Sequence, residues 1–280
     1  MSARGTAPAA SRALPLRAEL RRQLGRRRTR LSFLFLLLLP LLLVGAFALG
    51  DGGSDGGGAS FVDLAQTGAP NLVVFTLFAS TGFLLVVLAA LFHGDAVPSE
   101  ASWSSLRYLL TAPVPRGRLL TVKLAAASLT TLVALVVLPL WTLLVGLVAY
   151  GTEPYRGLAG ETIGWADFWP RLAIAVAYLF VNLFFVAGLS FLVGTITDAP
   201  LGAVGSAVLV TIVSSILDTI DALGDLREAL PTHFQFAWAG VLTSDVDYAP
   251  LATGATWSLG WALLLVGASY VLFARKDVLS

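Results

Sequence analysis

The chain has 280 residues, of which 57% are hydrophobic and 12% charged, with a mean hydropathy of +0.83 and a net charge of +1. Soluble domains carry roughly a quarter charged residues, so this composition points to lipid. The absence of Cys excludes disulfides, thiolate metal ligands and a cysteine nucleophile.

Residues 1–30 form a basic tail with nine Arg. Crossing the hydrocarbon core takes about 20 mostly apolar residues, and six stretches qualify: 31–49, 71–92, 124–150, 172–193, 201–217 and 255–274. None has Lys, Arg, Asp or Glu in its apolar interior. Pro139 is expected to bend the third. The first run, which contains Ala46-Phe47-Ala48 near its end, imitates a signal peptide, but its apolar stretch is longer than the usual 7–15 or so residues of such a region. Between the spans, residues 51–58 have the Gly/Ser/Asp composition of a flexible linker. Residues 221–229 read as a short helix broken at Pro231.

Basic residues orient the spans. Fifteen Arg and Lys fall on the side of the N-terminal tail, the 93–123 loop and the C-terminus, against Arg156, Arg171 and Arg227 on the other. Twelve acidic residues lie on that second side and five on the first: Glu19, Asp95, Glu100, Asp198 and Asp277. The expected fold is therefore an all-α polytopic membrane protein of six spans with both termini cytoplasmic, in the cell's inner (plasma) membrane.

Chemistry is sparse. The phosphate loop G-x-x-x-x-G-K-[ST] does not occur, nor does H-E-x-x-H or a G-x-S-x-G elbow. His93 and His233 fall on opposite sides of the membrane and cannot share a metal. Ion-driven carriers tend to mark their relay with buried Asp, Glu or His, and these spans offer only Asn182 with scattered Ser and Thr. Intrinsic catalysis, a resident metal and a nucleic-acid partner are not expected, and energy for transport should come from elsewhere.

The inner loop is more elaborate than a connector needs. Ser99 supplies an N-cap and Glu100 an acid in the first turn, where the helix dipole favours it. Trp103, Leu106 and Leu110 recur at spacings of three and four, making one apolar face. Pro113 biases Ala112 away from helical angles, ending the helix near Thr111. By pattern alone this is an interfacial helix that needs no partner.

The same residues resemble the inner loop of ABC-2 type permeases, the membrane subunits of ATP-binding-cassette transporters. The family reads Glu, then Gly-Thr-Leu four residues on, a Leu-rich turn, Pro-Val-Ser-Arg, and a Lys seven residues later. Glu100, Ser104-Ser105-Leu106, Leu109-Leu110, Pro113-Val114-Pro115-Arg116 and Lys123 match, with Ser104-Ser105 and Pro115 as departures. The close, Phe273-Ala274-Arg275-Lys276-Asp277, and the start, where Leu16, Leu20 and Leu24 alternate with arginines, are similar to the family too. The resemblance implies an elbow helix within 1–30, a six-span domain over 31–280, and a coupling helix at 99–112. That helix would dock a separate ATPase through Glu100, Trp103, Leu106, Arg107, Leu110 and Arg116. It implies two ATPase copies carrying ATP and Mg, no cofactor in this chain, and a second permease copy or homologue.

In similar permeases the second and fifth spans face the dimer axis. Here the fifth carries Thr211, Ser215 and Asp218 as a polar stripe, with Gly202, Gly205 and Ser206 allowing close approach. The second carries Thr76 and Ser80. With Asn182 these are the candidate substrate path, which suits an exported amphipathic or lipid-like solute. Each hydroxyl could equally bond its own backbone at i−4. Two other classes fit the sequence, a non-transporting anchor or assembly factor, and a channel or secondary carrier.

Overall fold

The computed structural model describes residues 15–50, 60–98, 115–197 and 199–275. Helix α1 (Leu16–Gly25) stops where Arg26 adopts extended backbone angles, and this corner turns the chain into α2 (Arg27–Leu49). The short α3 (Phe61–Ala65) opens on a reciprocal capping box between Ser60 and Asp63, which satisfies two donors that helix ends leave orphaned.

The second span departs from the single helix expected over 71–92. It is two helices, α4 (Ala69–Thr81) and α5 (Leu84–Gly94), bent by 57°. Ser80 and Thr81 donate their hydroxyls to the carbonyls of Thr76 and Leu77 at 2.6 and 2.7 Å, back-bonding that bends helices. Phe83 then leaves helical angles at φ −139° and ψ −62°.

Helix α6 (Arg116–Tyr150) has 35 residues, starts well before the expected 124, and continues as a helix through Pro139. At 1.5 Å per residue it is about 52 Å long, against roughly 30 Å of hydrocarbon. A two-stranded hairpin, β1 (Tyr155–Arg156) with β2 (Thr162–Ile163), leads to α7 (Trp165–Asn182) and α8 (Phe184–Ile196). These two form one long fourth span, Trp165–Ile196. Helix α9 (Pro200–Asp218) is followed by 3-10 segments at Asp221–Ala229 and Ala237–Leu242, then α10 (Ala249–Arg275). Among the described residues five helices are long and apolar enough to cross a membrane, and the bent α4–α5 pair, taken as one span, makes six.

The core lies among α4, α5, α6, α7 and α8, with Leu77, Leu135, Leu138, Phe168 and Leu179 almost wholly buried. Small residues set two close crossings. A Cβ on Gly194 of α8 would sit 2.8 Å from the Gly94 carbonyl oxygen of α5, and one on Gly146 of α6 would sit 2.9 Å from Ala69 Cα of α4. Without hydrophobic drive between helices in lipid, such backbone approach is a main source of association. At the acidic end the loops are laced to the spans: Asn71 exchanges two hydrogen bonds with the Arg156 backbone, and Arg171 donates to the Val241 and Thr243 carbonyls.

Candidate functional site: the basic end of the bundle

One end of the bundle gathers α1, the start of α2, the end of α5, the start of α6 and the end of α10. Residues 99–114 join α5 to α6 in the sequence. The expected docking residues Glu100, Trp103, Leu106, Arg107 and Leu110 lie outside the described residues, as does the whole of the expected coupling helix, 99–112. Arg116 is described. It opens α6 and donates from Nη1 to the Ala274 carbonyl of α10 at 3.1 Å.

Both flanks of that loop are tied to α1 and its corner. On the α6 side, Lys123 is fully buried and its Nζ donates to Glu19 Oε1 at 3.1 Å. Glu19 is itself 3% exposed and also meets Arg22 Nη1 at 3.4 Å. A cation so far from water is stable only when paired and hydrogen-bonded, and α1 supplies the carboxylate.

On the α5 side, Gln23 Nε2 donates to the Phe92 carbonyl at 3.3 Å. Asp95, 6% exposed, accepts from Arg26 Nη1 at 3.0 Å and from Arg28 Nη1 at 3.2 Å. Arg26 also reaches the Asp95 carbonyl at 3.1 Å. Close by, Ala96, Val97, Leu119, Leu120, Phe191 and Phe273 form a small separate apolar cluster. Thr121 and Tyr270 share a hydroxyl hydrogen bond of 2.7 Å between α6 and α10.

His93 belongs to the same end but is not the interfacial residue its position in the sequence suggests. It is 1% exposed, with Nδ1 donating to the Ala89 carbonyl at 2.8 Å and Nε2 accepting from Ser128 Oγ at 3.2 Å. Every polar group just described is engaged with a neighbour. Chemically the arrangement positions the ends of α1, α2, α5 and α6 against one another through ion pairs to buried carboxylates. Among the described residues no group of three or more His, Asp or Glu could hold a metal.

The candidate path residues are spread through the bundle rather than gathered. Thr76 and Thr211 are buried, and Thr211 bonds its own helix at the Ala207 carbonyl, 2.8 Å away, as Ser80 does at Thr76. Thr76 Oγ1 is buried with no hydrogen-bond partner among the described residues. Asn182 Nδ2 reaches Ser258 Oγ of α10 at 3.3 Å, within the packed interior. Ser215 is half-buried. Its neighbour Ser214 makes the tertiary contact instead, at 2.7 Å from Thr232. Asp218 pairs with His233 Nδ1 at the acidic end.

Sequence reasoning missed Glu19, Asp95 and His233 as structural partners. A signal existed for the first: Glu19 is the lone acid in an arginine-rich segment, and Lys123 is one of two Lys against 16 Arg.

A family model described as ABC-2 family transporter protein matches residues 19–278. That span runs from the Glu19 of the buried ion pair to beyond the last helix. A search of the curated proteins finds none that matches.

Proposed function

The chain belongs to the ABC-2 transporter family, and from that premise we propose that it is the permease subunit of an exporter driven by a separate ATPase. Residues 99–112 serve as the docking element, with Trp103, Leu106 and Leu110 on its apolar face and Glu100, Arg107 and Arg116 making polar contacts. Nucleotide chemistry, with ATP and Mg, belongs to two copies of the partner, and two permease copies enclose the path. The apolar second and fifth spans, relieved by Thr76, Ser80, Thr211, Ser215 and Asp218, with Asn182 deeper in the bundle, suit an amphipathic or lipid-like solute. The basic end faces the cytoplasm, where fifteen of the 18 Lys and Arg collect.

The observation that carries this reading is the double tether of α1. Glu19–Lys123 holds one flank of the docking loop and Arg26/Arg28–Asp95 the other. A loop that only connected two spans would need no such frame; one that receives force from a moving partner does.

The test is pull-down of the cognate ATPase together with permease-stimulated ATP hydrolysis. Trp103→Ala removes an aromatic anchor of the kind that often costs about 2 kcal/mol or more at an interface, roughly a thirtyfold loss in affinity. Arg107→Glu should weaken charge complementarity with the groove. Parent-like binding and stimulation by both variants would refute docking through this loop. Co-purification without any ATPase would favour an anchor instead.

A further inference from the structure

Seven arginines fall between residues 17 and 30, and the fold uses only some of them. Arg22 pairs with Glu19, and Arg26 and Arg28 with Asp95. Arg17, Arg21, Arg27 and Arg30 are all exposed, and among the described residues no carboxylate pairs with them. Four cations without a carboxylate among the described residues, of which Arg30 meets the Leu24 carbonyl at 3.4 Å, stand on one short helix and the first turn of its neighbour and repel each other, so they call for an anionic counterpart.

The arrangement of α1 says where that counterpart lies. Residues step about 100° around a helix. Glu19 and Gln23 take the face turned to α5 and α6, where both are buried. Next around the helix come Leu16, Leu20 and Leu24, one turn apart, with Leu24 46% exposed. Arg17 and Arg21 follow directly on the far edge of that leucine stripe. An apolar stripe bordered by arginines is the pattern of a helix lying in a membrane interface, its leucines among acyl chains and its cations among headgroups. Arg27 and Arg30, at the start of the first span, extend the basic border to where α2 enters the membrane.

We infer that α1 and the first turn of α2 form a binding surface for anionic phospholipid headgroups, held by Arg17, Arg21, Arg27 and Arg30. The occupant is a headgroup phosphate whose charge no headgroup cation cancels, as in phosphatidylglycerol, rather than a zwitterionic lipid. Because the opposite side of α1 is bonded to both flanks of the 99–114 segment, occupancy of this surface also steadies the frame around it. The inference does not rest on the transporter reading, since lipid selection requires no ATPase.

The experiment uses the full purified chain, with no ATPase present, in mild detergent supplied with equal amounts of phosphatidylglycerol and phosphatidylcholine. Retained lipid is counted by mass spectrometry. Each basic side chain near an anionic surface favours it by roughly fivefold, so the parent should retain phosphatidylglycerol at least about tenfold over phosphatidylcholine. Changing Arg17, Arg21, Arg27 and Arg30 together to Gln should remove most of that preference, and changing the same four to Lys should keep it. Arg156→Gln, at the acidic end, should leave it unaltered. If the Gln variant does not insert, the parent alone still decides: its preference should collapse in molar salt, where the Debye length is about 3 Å. Equal retention of the two lipids by the parent, a salt-insensitive preference, or an unchanged preference in the Gln variant would each overturn the inference.

Discussion

Replacing Glu19 with Ala probes the most deeply buried ion pair in the structure. Lys123 is fully buried and Glu19 is 3% exposed, with Nζ and Oε1 3.1 Å apart. At an effective dielectric constant of about 20, two unit charges at that separation attract by roughly 5 kcal/mol, an attraction offset by the cost of desolvating both. Removing one partner of such a pair typically costs about 3–5 kcal/mol, because it strands the other charge away from water. Lys123 keeps a further interaction, so the lower end, about 3 kcal/mol, applies. For a chain of this size 1 kcal/mol moves the melting point by about 2–4 °C, which gives a fall of about 6–12 °C. The seven Trp provide the signal in a thermal melt of the purified chain; thiol dyes are blind to a protein without Cys. The double variant Glu19→Leu with Lys123→Met should recover most of the loss, since apolar replacement of a buried pair is often neutral or stabilising. A parent-like melt for Glu19→Ala, or a double variant worse than the two single ones added together, would show that the pair does not hold α1 in place.

Three further expectations follow from other parts of the molecule. Gly194→Ala sets a Cβ 2.8 Å from the Gly94 carbonyl oxygen, so α8 must back away from α5, and overpacking of this kind costs about 1–3 kcal/mol; a melt within 1 °C or so of the parent would count against the crossing. Burial, with the Glu161 charge second, pushes the Tyr155 phenol up from 10.0 to about 12. Its contribution to the β1–β2 hairpin is complete below pH 10 and lost as the pH rises towards 12, and a difference absorbance titration against Tyr155→Phe should find that late-ionising phenol; a Tyr155 titrating near 10 would refute its burial. Reporter tags at Ser2 and Ser280 should be cytoplasmic and one at Gly56 external, and a Gly56 tag shielded from outside protease would overturn the orientation.

Much of this architecture is legible in the sequence because lipid imposes a simple rule, and runs of 17–27 apolar residues announce themselves. What escapes that rule depends on tertiary partners. The early start of α6 is hidden because Arg116, Arg118 and Lys123 look like loop residues; Lys123 becomes helical interior only once Glu19, more than a hundred residues away, neutralises it. The bend in the second span is hidden for the opposite reason. Hydropathy is smooth across Thr81-Gly82-Phe83, and the cause lies in two hydroxyls that turn back onto their own carbonyls. On α9, Ser214, beside the stripe of Thr211, Ser215 and Asp218, reaches Thr232, a tertiary partner that the spacing of residues along the helix does not display.

A shaft snapped at mid-length cannot carry a thrust from one end to the other. The first half of the second span, α4, meets α6 most closely where Gly146 approaches Ala69, whereas the second half, α5, meets α8 and α9 where Gly94 approaches Gly194, Ala203 and Val204. The two pieces thus meet different neighbours at their closest approaches, with the corner at Phe83 between them, and both also touch α6, α5 through His93 and Ser128. A displacement of the Asp95 end of α5 therefore bears first on Gly194, Ala203 and Val204, while the far end of α4 is held through Asn71 to the Arg156 backbone.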